Sequence, residues 1–547
     1  MHHHPRHFFL FILLTGCLWS GCQSSQSVDH QRDISGDSIS PSTASRYHIL
    51  WITAEDMSPH LAAYGDSTAH TPNLDRLAAE GVRYTNVFSV SGVCAPSRSA
   101  LISGMYPTYM GTDNMRTMPV TDDTDLEAYR AVIPAEIRLY PEMLRAAGWY
   151  TTNNSKEDYQ FDAPPTVWDE SSPRAHWRNR PVGAPFFAIF NAMVTHESQI
   201  WARKDCTLYV QPDQVPVPPL YPDNPVIRQD LARNYSNIVE LDRFVGERLR
   251  EVEEAGLLDS TIIFFYTDHG SGQAYYKREV YDRGLRVPMI IRFPGKKNAG
   301  STDDRLISFV DLAPTVLSLA GLPVPDWMQG QAFLGPQTAA PRRYIYAARD
   351  RMDSEYDMVR TVHDGRYQYV RNFQPEKPNL QNIAYRENMP MMREMLRLHR
   401  AGQLNPEAER WFQTKPEEEL YDYQEDPFEQ HNLATDPAYA EKRAELRGAL
   451  YRWMFATGDK GFIPEKELRE MMWPNGRQPV TAAPTFAQED GRWTLTCATP
   501  GASIAYRPTG EARWRVYQQP FAAAEPAAWE AVALRIGYTL SDTTRFR

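Results

Sequence analysis

The chain has 547 residues, of which 42% are hydrophobic and 23% charged, so it can form two to four domains around a large core. This composition excludes an intrinsically disordered protein. The formal net charge of −11 at pH 7 argues against a general polyanion binder such as a nucleic-acid-binding protein. An acidic substrate would therefore need a local cluster of cations.

The first 45 residues predict export and a tether. The apolar run at residues 8–14 is too short to span a bilayer but suits a signal peptide. The stretch LTGC, ending at Cys17, resembles a bacterial lipobox, in which cleavage precedes a cysteine that receives lipid; WSGC, ending at Cys22, is a weaker candidate. We therefore expect a lipoprotein signal peptide at residues 1–16, a flexible tether at 17–45, and a protein anchored in the periplasm or at the cell surface. The alternative is an ordinary cleaved signal peptide with chance cysteines.

A buried parallel strand is predicted at residues 47–53, where the sequence YHILWIT is almost continuously apolar. Glu55 and Asp56 follow it directly. Acidic residues in this position lie at the edge where α/β sheets bind their ligands. Taken alone, the pair could equally be a solvated acidic turn.

The segment CAPSRSALISG at residues 94–104 predicts a nucleophile beside an anion site. A helix is expected over residues 96–102, begun by Pro96, and Cys94 would face its unpaired backbone N–H groups and positive dipole end. Arg98 adds a planar guanidinium that matches the oxygens of a tetrahedral anion. The alternative is that Cys94 packs as a small hydrophobic residue. Because the other cysteines are scattered along the chain, no disulfide framework is indicated.

Two further buried strands precede residues that could transfer a proton or bind a metal. The apolar run at residues 185–190 is followed by His196, which could protonate a leaving alcohol, although a structural histidine is the simpler reading of this residue alone. The run TIIFFYT at residues 261–267 ends in Asp268 and His269, which are metal-ligand types, and in Gly270, which permits close backbone approach. Another buried strand is expected at residues 289–293.

These segments, in their order along the chain, resemble the signature segments of the type I, formylglycine-dependent sulfatases. Residues 94–104 match Cys-x-Pro-Ser-Arg-x-x-Leu-x-Thr-Gly except at Ser103, and the matches extend over roughly residues 47–434. The resemblance implies an α/β, alkaline-phosphatase-like fold with a mixed, mostly parallel sheet between helices. It also implies a catalytic domain over residues 46–335 and an exported bacterial enzyme that acts on glycans.

The resemblance further implies that Cys94 is oxidised to formylglycine by a formylglycine-generating or anaerobic maturase enzyme. In the family mechanism the hydrated aldehyde attacks sulfur, while a divalent cation, usually Ca²⁺, and nearby cations neutralise the sulfuryl oxygens. The implied catalytic residues are Cys94, Arg98, Lys156, His196 and Lys277, of which His196 would serve the leaving oxygen. The implied metal ligands are Glu55, Asp56, Cys94, Asp268 and His269.

This chain departs from the family pattern near three of these positions. Glu55 replaces an aspartate, so its carboxylate reaches one methylene further. Asp158 stands where the family commonly has a histidine after the lysine that matches Lys156, and it could contact a different part of the substrate. Asp282 replaces a glutamate downstream of Lys277, and we assign Arg286 in the same segment to a structural role.

The C-terminal third predicts two smaller units. Residues 336–478 resemble a small α+β sulfatase subdomain, with strand-like pieces at 342–373 and 419–422 and a helix at 438–457. A Pro/Ala-rich join at 479–484 begins an accessory module over 479–547, which is similar to β-sandwich modules appended to glycan-degrading enzymes. Trp168, Trp177 and Trp201 could stack on sugar faces, although each could as well pack in the core.

Together these observations predict a sulfatase that hydrolyses sulfate esters of a sulfated carbohydrate. Two alternatives remain at this point. A phosphate or phosphonate ester hydrolase of the same superfamily could share the metal site. A non-catalytic lipoprotein that binds sulfated glycans would keep the cations without needing Cys94 to be modified. Membrane contact is expected through the lipid anchor only, and no nucleic-acid partner is expected.

Overall fold

A computed structural model of the chain describes residues 47–115, 126–522 and 528–547. The expected signal peptide, the tether and the candidate anchor residues Cys17 and Cys22 lie outside the described residues. Within the described ranges, no helix combines the length and the hydropathy needed to cross a membrane.

A nine-stranded sheet forms the centre of the N-terminal part. Its strands are β1 (His48–Ala54), β2 (Val82–Phe88), β3 (Tyr150–Asn154), β4 (Glu170–Ser171), β5 (Phe186–Ala192), β6 (Thr261–Thr267), β7 (Arg286–Arg292), β8 (Thr302–Asp303) and β9 (Ile307–Ser308). They lie in the order β4-β3-β5-β1-β6-β7-β2-β8, with β9 also paired to β2. Only β7 runs antiparallel to its two neighbours, β6 and β2. The sheet is therefore mixed and mostly parallel.

Helices cover both faces of this sheet. They are α1 (Pro72–Glu80), α2 (Cys94–Ser103), α3 (Pro107–Met110), α4 (Tyr140–Ala146), α5 (Ser198–Ala202), α6 (Pro225–Glu254), α7 (Asp282–Leu285) and α8 (Leu312–Leu319). Because strand side chains alternate between faces, Trp51 of β1 packs with α2, α4 and α8, whereas Leu50 packs with α1 and α6. A strand buried on both faces is mostly apolar, which explains the near-continuous hydrophobic runs.

The predicted elements correspond closely to these strands and helices. The strands expected at residues 47–53, 185–190 and 289–293 are β1, β5 and β7, shifted by one to three residues, and the strand at 261–267 is β6. The helix expected at 96–102 is longer and begins at Cys94 itself. The predicted start at Pro96 was wrong because Pro96 occupies the third position of the first turn, where its missing N–H costs no helical hydrogen bond.

The second part of the chain carries a four-stranded antiparallel sheet and helices. The sheet contains, in order, β10 (Ile345–Arg349), β11 (Val359–His363), β12 (Tyr367–Asn372) and β13 (Glu418–Asp422). The helices are α9 (Pro390–Arg400), α10 (Pro406–Glu409), α11 (Ala440–Thr457) and α12 (Glu465–Met472). Val359, Val370 and Tyr421 pack against Phe88 and Leu285, so this sheet adjoins the N-terminal part through an apolar contact.

The described residues 485–522 and 528–547 form two small antiparallel sheets. Their strands are β14 (Thr485–Glu489), β15 (Arg492–Thr496), β16 (Ser503–Pro508), β17 (Arg515–Val516), β18 (Phe521–Ala522), β19 (Trp529–Leu534) and β20 (Thr544–Phe546). The order is β14-β15-β18 in one sheet and β17-β16-β19-β20 in the other. Trp493, Trp529 and Phe546 bring the two sheets together in one core. The module contacts the N-terminal part through Arg513, whose Nε lies 2.6 Å from Asp169 Oδ1.

Candidate active site

The predicted site residues meet at one edge of the central sheet. β1 lies between β5 and β6, and all three strands run in parallel, with Ala54 opposite both Ala192 and Thr267. The residues that follow these strands therefore emerge side by side. This topology brings Glu55 and Asp56 next to Asp268 and His269, although more than 200 positions separate the two pairs in sequence.

Asp56, Asp268 and His269 form a buried cluster of metal-ligand type. One ligand atom from each lies within 4.8 Å of the others, and Asp56 Oδ1 is 3.0 Å from His269 Nε2. His269 Nδ1 is 2.9 Å from the Gly270 carbonyl oxygen, which can only accept, so Nδ1 carries the proton and Nε2 offers a lone pair.

This cluster fits a divalent cation. With Nδ1 protonated, Asp56 Oδ1 and His269 Nε2 are two buried acceptors 3.0 Å apart that cannot hydrogen-bond to each other, and neither has another hydrogen-bond partner in the described part of the chain. This arrangement costs free energy unless a further group satisfies them. Burial and the neighbouring Glu55 also raise the pKa of Asp268. Oxygen ligands at about 2.3–2.6 Å are those that Ca²⁺ prefers, and the spacing of the three ligand atoms allows one ion to reach them all.

Glu55 faces cations in this structure. Its carboxylate accepts hydrogen bonds from the Arg98 guanidinium and from Lys156 Nζ, the latter at 2.6 Å. Burial alone would raise the pKa of Glu55, but Arg98 and Lys156 bring it to about 2. Glu55, Asp56 and His196 form a second group of potential metal ligands, and this group does not include Asp268. The assignment of Glu55 as a metal ligand therefore stays a prediction.

Arg98 lies one turn into α2 and is almost fully buried. Its guanidinium reaches three acceptors: Glu55, Asn191 Oδ1 at 2.9 Å and Asp268 Oδ2 at 3.3 Å. These bonds fix the plane of the guanidinium beside the metal-ligand cluster of Asp56, Asp268 and His269. Asn191, at the end of β5, was not predicted, because an asparagine in an apolar strand carries no signature of its own.

Lys277 is held between two carboxylates. Its Nζ lies 2.6 Å from Asp56 Oδ2 and 3.1 Å from Glu197 Oε1. Glu197 also binds both terminal nitrogens of Arg278, each at 2.8 Å, and its backbone N–H donates to Asp56 Oδ2 at 2.7 Å. Glu197 therefore positions Lys277. The sequence offered one signal for Glu197, which is that it directly follows His196.

Cys94 is the first residue of α2 and is 6% exposed. Burial raises the pKa of its thiol far above the ordinary value, although Lys156 and Lys277 are near enough to oppose the rise. The unmodified thiol is consequently protonated at neutral pH and is a weak nucleophile. Cys94 belongs to neither of the two possible ligand groups in the described residues, so its predicted contact with the metal stays a prediction.

Neighbouring backbone groups hold the Cys94 loop in place. The N–H of Arg278 donates to the Gly92 carbonyl oxygen at 2.6 Å, and Ser97 Oγ donates to the Asp268 carbonyl oxygen at 2.6 Å. A Cβ atom on Gly92 would stand 2.2 Å from the Glu279 carbonyl oxygen, so only glycine permits this approach. The segment that carries Lys277 and the start of α2 thus pack directly together.

His196 lies beside the same cluster and is half-buried. Its Nδ1 is 2.8 Å from Ser198 Oγ. Burial, with Lys277 adding to the effect, lowers the pKa of His196 to about 4. The imidazole is therefore neutral at pH 7 in this structure.

The remaining sequence assignments have mixed outcomes. Asp158 lies 3.5 Å from Lys156 Nζ, at the rim of the site. Arg286 binds Asp282 through Nε and Nη2 at 2.7–3.0 Å, in the structural role assigned to it. Of the two alternatives left open for Trp168 and Trp177, the structure favours core packing: they are 8% and 2% exposed and stack on core phenylalanines at 6.1 and 5.3 Å.

Comparison with known proteins identifies the family. The Sulfatase family profile matches residues 47–322. An ulvan-active sulfatase of Formosa agariphila is 45% identical, in an alignment that covers 90% of each chain. The described architecture and the solved structures below confirm the predicted alkaline-phosphatase-like fold.

Two solved structures show how widely this fold is shared. One, a protein in complex with its substrate D-glucosamine-2-N,6-O-disulfate, has a TM-score of 0.57 at 18% identity and covers 77% of this chain and 100% of its own. A phosphonate monoester hydrolase from Silicibacter pomeroyi has a TM-score of 0.55 at 18% identity, covering 76% of this chain and 97% of its own. The family match and the 45% identity decide between these activities: the chain belongs to the sulfatase family and is a sulfuric ester hydrolase.

Proposed function

We propose that this sulfatase removes sulfate from a sulfated carbohydrate, using formylglycine made from Cys94 and a divalent cation. The observation that carries the proposal is the convergence of Arg98, Lys156 and Lys277 on the buried carboxylates around Cys94. It provides the local cation cluster that the overall charge of −11 does not. The 45% identity to an ulvan-active sulfatase supports a polysaccharide-derived substrate.

The proposed chemistry divides the work among these side chains. A divalent cation held by Asp56, Asp268 and His269 would supply positive charge at a sulfuryl oxygen. The hydroxyl of the hydrated aldehyde at position 94 would attack sulfur at the N-terminus of α2, where backbone N–H groups favour an anion. Cationic donors that are already fixed in place stabilise the developing negative charge without further reorganisation.

His196 would act on the leaving group, as the proton donor to the oxygen that departs with the sugar. It stands beside Asp56 and follows β5, so it borders the same pocket as the cations. Asp158 faces Lys156 from the rim and is suited to contact a part of the substrate other than the sulfate. Modification of Cys94 would require a formylglycine-generating or anaerobic maturase enzyme in the same cell.

The substrate proposal is tested by steady-state kinetics on a panel of sulfate and phosphate esters. Because every substrate carries the sulfate, selectivity must come from contacts with the sugar. We expect kcat/KM on size-fractionated ulvan oligosaccharides or on glycosaminoglycan disaccharides to exceed that on 4-nitrophenyl sulfate by at least about 100-fold. Activity on 4-nitrophenyl phosphate should be lower again. Equal or better values on phosphate or phosphonate esters would favour the alternative hydrolase.

We also propose that the protein is exported and anchored by lipid at Cys17. The support is the LTGC stretch after a short apolar run, followed by a polar tether. Several acyl chains on one cysteine suffice for stable membrane association. In a bacterial host with a lipoprotein pathway, Cys17→Ala should move the protein from the membrane fraction to the soluble fraction, whereas the matched Cys22→Ala should not. The opposite pattern would make Cys22 the anchor, and two membrane-bound variants would refute lipid anchoring.

A further inference from the structure

A second cavity, of about 620 Å³, adjoins the active site between α5, α6 and α9. Such a volume is large enough for a small ligand or a sugar residue. Trp201 and Lys204 line it from the α5 side, Arg233 from α6, and Asn388 and Arg393 from the α9 side. Nothing in the proposed chemistry at Cys94 uses these residues.

The lining of this cavity is positively charged. Lys204 and Arg393 are exposed, and neither forms an ion pair among the described residues. The single carboxylate in the lining, Asp230, is buried and accepts the Met391 N–H at 2.6 Å; burial raises its pKa to about 7, against a smaller effect of Arg393. In a protein of net charge −11, three cations around one partly neutralised carboxylate favour an anionic ligand.

Arg233 provides a buried donor with spare capacity. It is 2% exposed, and its terminal nitrogens donate to carbonyl oxygens of the loop after α5, including that of Thr207 at 3.0 Å. Its Nε is buried and has no hydrogen-bond partner in the described ranges. Several other buried arginine Nε atoms also lack a partner among the described residues, but this one belongs to the cavity lining.

One segment of chain, residues 385–388, borders both the active site and the cavity. Arg386 donates to the Lys277 carbonyl oxygen at 3.3 Å, and two residues further on, Asn388 lines the cavity. Tyr385, from the same segment, contacts the edge of Trp201 with ring centroids 5.4 Å apart. Tyr385 also lies near enough to Glu197 and Lys277 for both to influence its pKa. The contact between Tyr385 and Trp201 therefore connects the surroundings of Lys277 with the lining of the cavity.

From these contacts we infer that the cavity is a second anion-binding subsite, which holds a sulfate or carboxylate group on a neighbouring sugar of the same oligosaccharide. Lys204, Arg233 and Arg393 provide the charge, and Trp201 with Tyr385 offers an aromatic surface for the connecting sugar. The inference rests on the proposed carbohydrate substrate and narrows it to acidic oligosaccharides that carry at least two anionic groups.

The test compares a variant in which two cations of the cavity lining are replaced by glutamate with a variant in which a lysine elsewhere on the surface is replaced by glutamate. The double variant Lys204→Glu/Arg393→Glu changes two exposed residues, so the fold should be preserved, which circular dichroism checks. Lys297→Glu, at an exposed lysine in the turn after β7, is the control for altered charge. We expect the ratio of kcat/KM on ulvan oligosaccharides to kcat/KM on 4-nitrophenyl sulfate to fall at least about tenfold in the double variant, because two attractive contacts become repulsive. The ratio should be unchanged in the control.

The outcomes separate this inference from the substrate proposal. If the wild-type enzyme prefers oligosaccharides but the double variant keeps the wild-type ratio, the subsite is wrong and the carbohydrate proposal stands. If the wild-type enzyme shows no preference for oligosaccharides, both fail together. Oligosaccharides whose carboxyl groups have been reduced identify the anion: a tenfold loss that persists on them assigns the subsite to sulfate, and a loss that disappears assigns it to a carboxylate.

Discussion

Cys94→Ala should lower kcat for sulfate ester hydrolysis by at least about 10⁴-fold, because loss of a covalent nucleophile removes the reaction path itself. The buried thiol is small, so its removal should cost only about 1 kcal/mol of folding stability, and the thermal midpoint should move by a few degrees. Cys206→Ala is the matched control, since it removes an exposed thiol, and it should keep wild-type activity. Activity is measured on 4-nitrophenyl sulfate after each variant is produced with a maturase.

Cys94→Ser separates a formylglycine nucleophile from an ordinary one. A serine hydroxyl could attack sulfur, but it lacks the second hydroxyl with which a hydrated aldehyde expels sulfate. We therefore expect at most one turnover and a sulfated peptide, with kcat near that of Cys94→Ala. Peptide mass spectrometry of active wild-type protein should show an aldehyde without sulfur at position 94. Fully active protein that contains only the thiol would contradict the assignment.

Much of the fold was predictable from the sequence because several central strands are almost continuously apolar. A strand covered by helices on both faces, such as β1 or β6, has few polar residues, and these lie near its ends. The β3 strand, with the sequence YTTNN, has no apolar run and was not predicted. The order of the strands in the sheet, however, depends on pairings between distant segments. That β1 lies between β5 and β6 is what brings Asp56 to Asp268, and no local pattern contains this information.

The site was predicted where residue type and position together restrict the chemistry, and missed where they do not. Cys94, Arg98 and Asp268 stand in recognisable segments. Glu197 has no such segment, yet it holds Lys277 and Arg278, because two buried cations near Asp56 require another carboxylate for balance. For Trp168 the sequence left sugar contact and core packing open, because an isolated aromatic residue carries no information about which way it faces; the structure buries it.

The second large effect that we expect concerns the metal-ligand cluster of Asp56, Asp268 and His269. Asp268→Ala removes a carboxylate of the cluster that also pairs with Arg98, so it should abolish binding of the metal and lower kcat/KM at least about 1,000-fold. Metal content is measured by elemental mass spectrometry, and thermal unfolding is followed with Ca²⁺ and with a chelator. A ligand at 100 times its Kd stabilises the folded state by about 2.7 kcal/mol, so Ca²⁺ should raise the midpoint of the wild type and leave that of Asp268→Ala unchanged.

Glu55→Gln tests whether Glu55 is one of the metal ligands. In this structure the oxygens of Glu55 face Arg98 and Lys156, whereas the resemblance to the family makes Glu55 a metal ligand. Glutamine keeps the size of the side chain and removes the charge. If Glu55 chiefly positions the two cations, the variant should retain bound metal and the Ca²⁺-dependent rise in midpoint while kcat falls. If it is a ligand, metal and midpoint shift should both be lost, as in Asp268→Ala. Full activity of Asp268→Ala, or of metal-free wild-type protein, would overturn the cation site altogether.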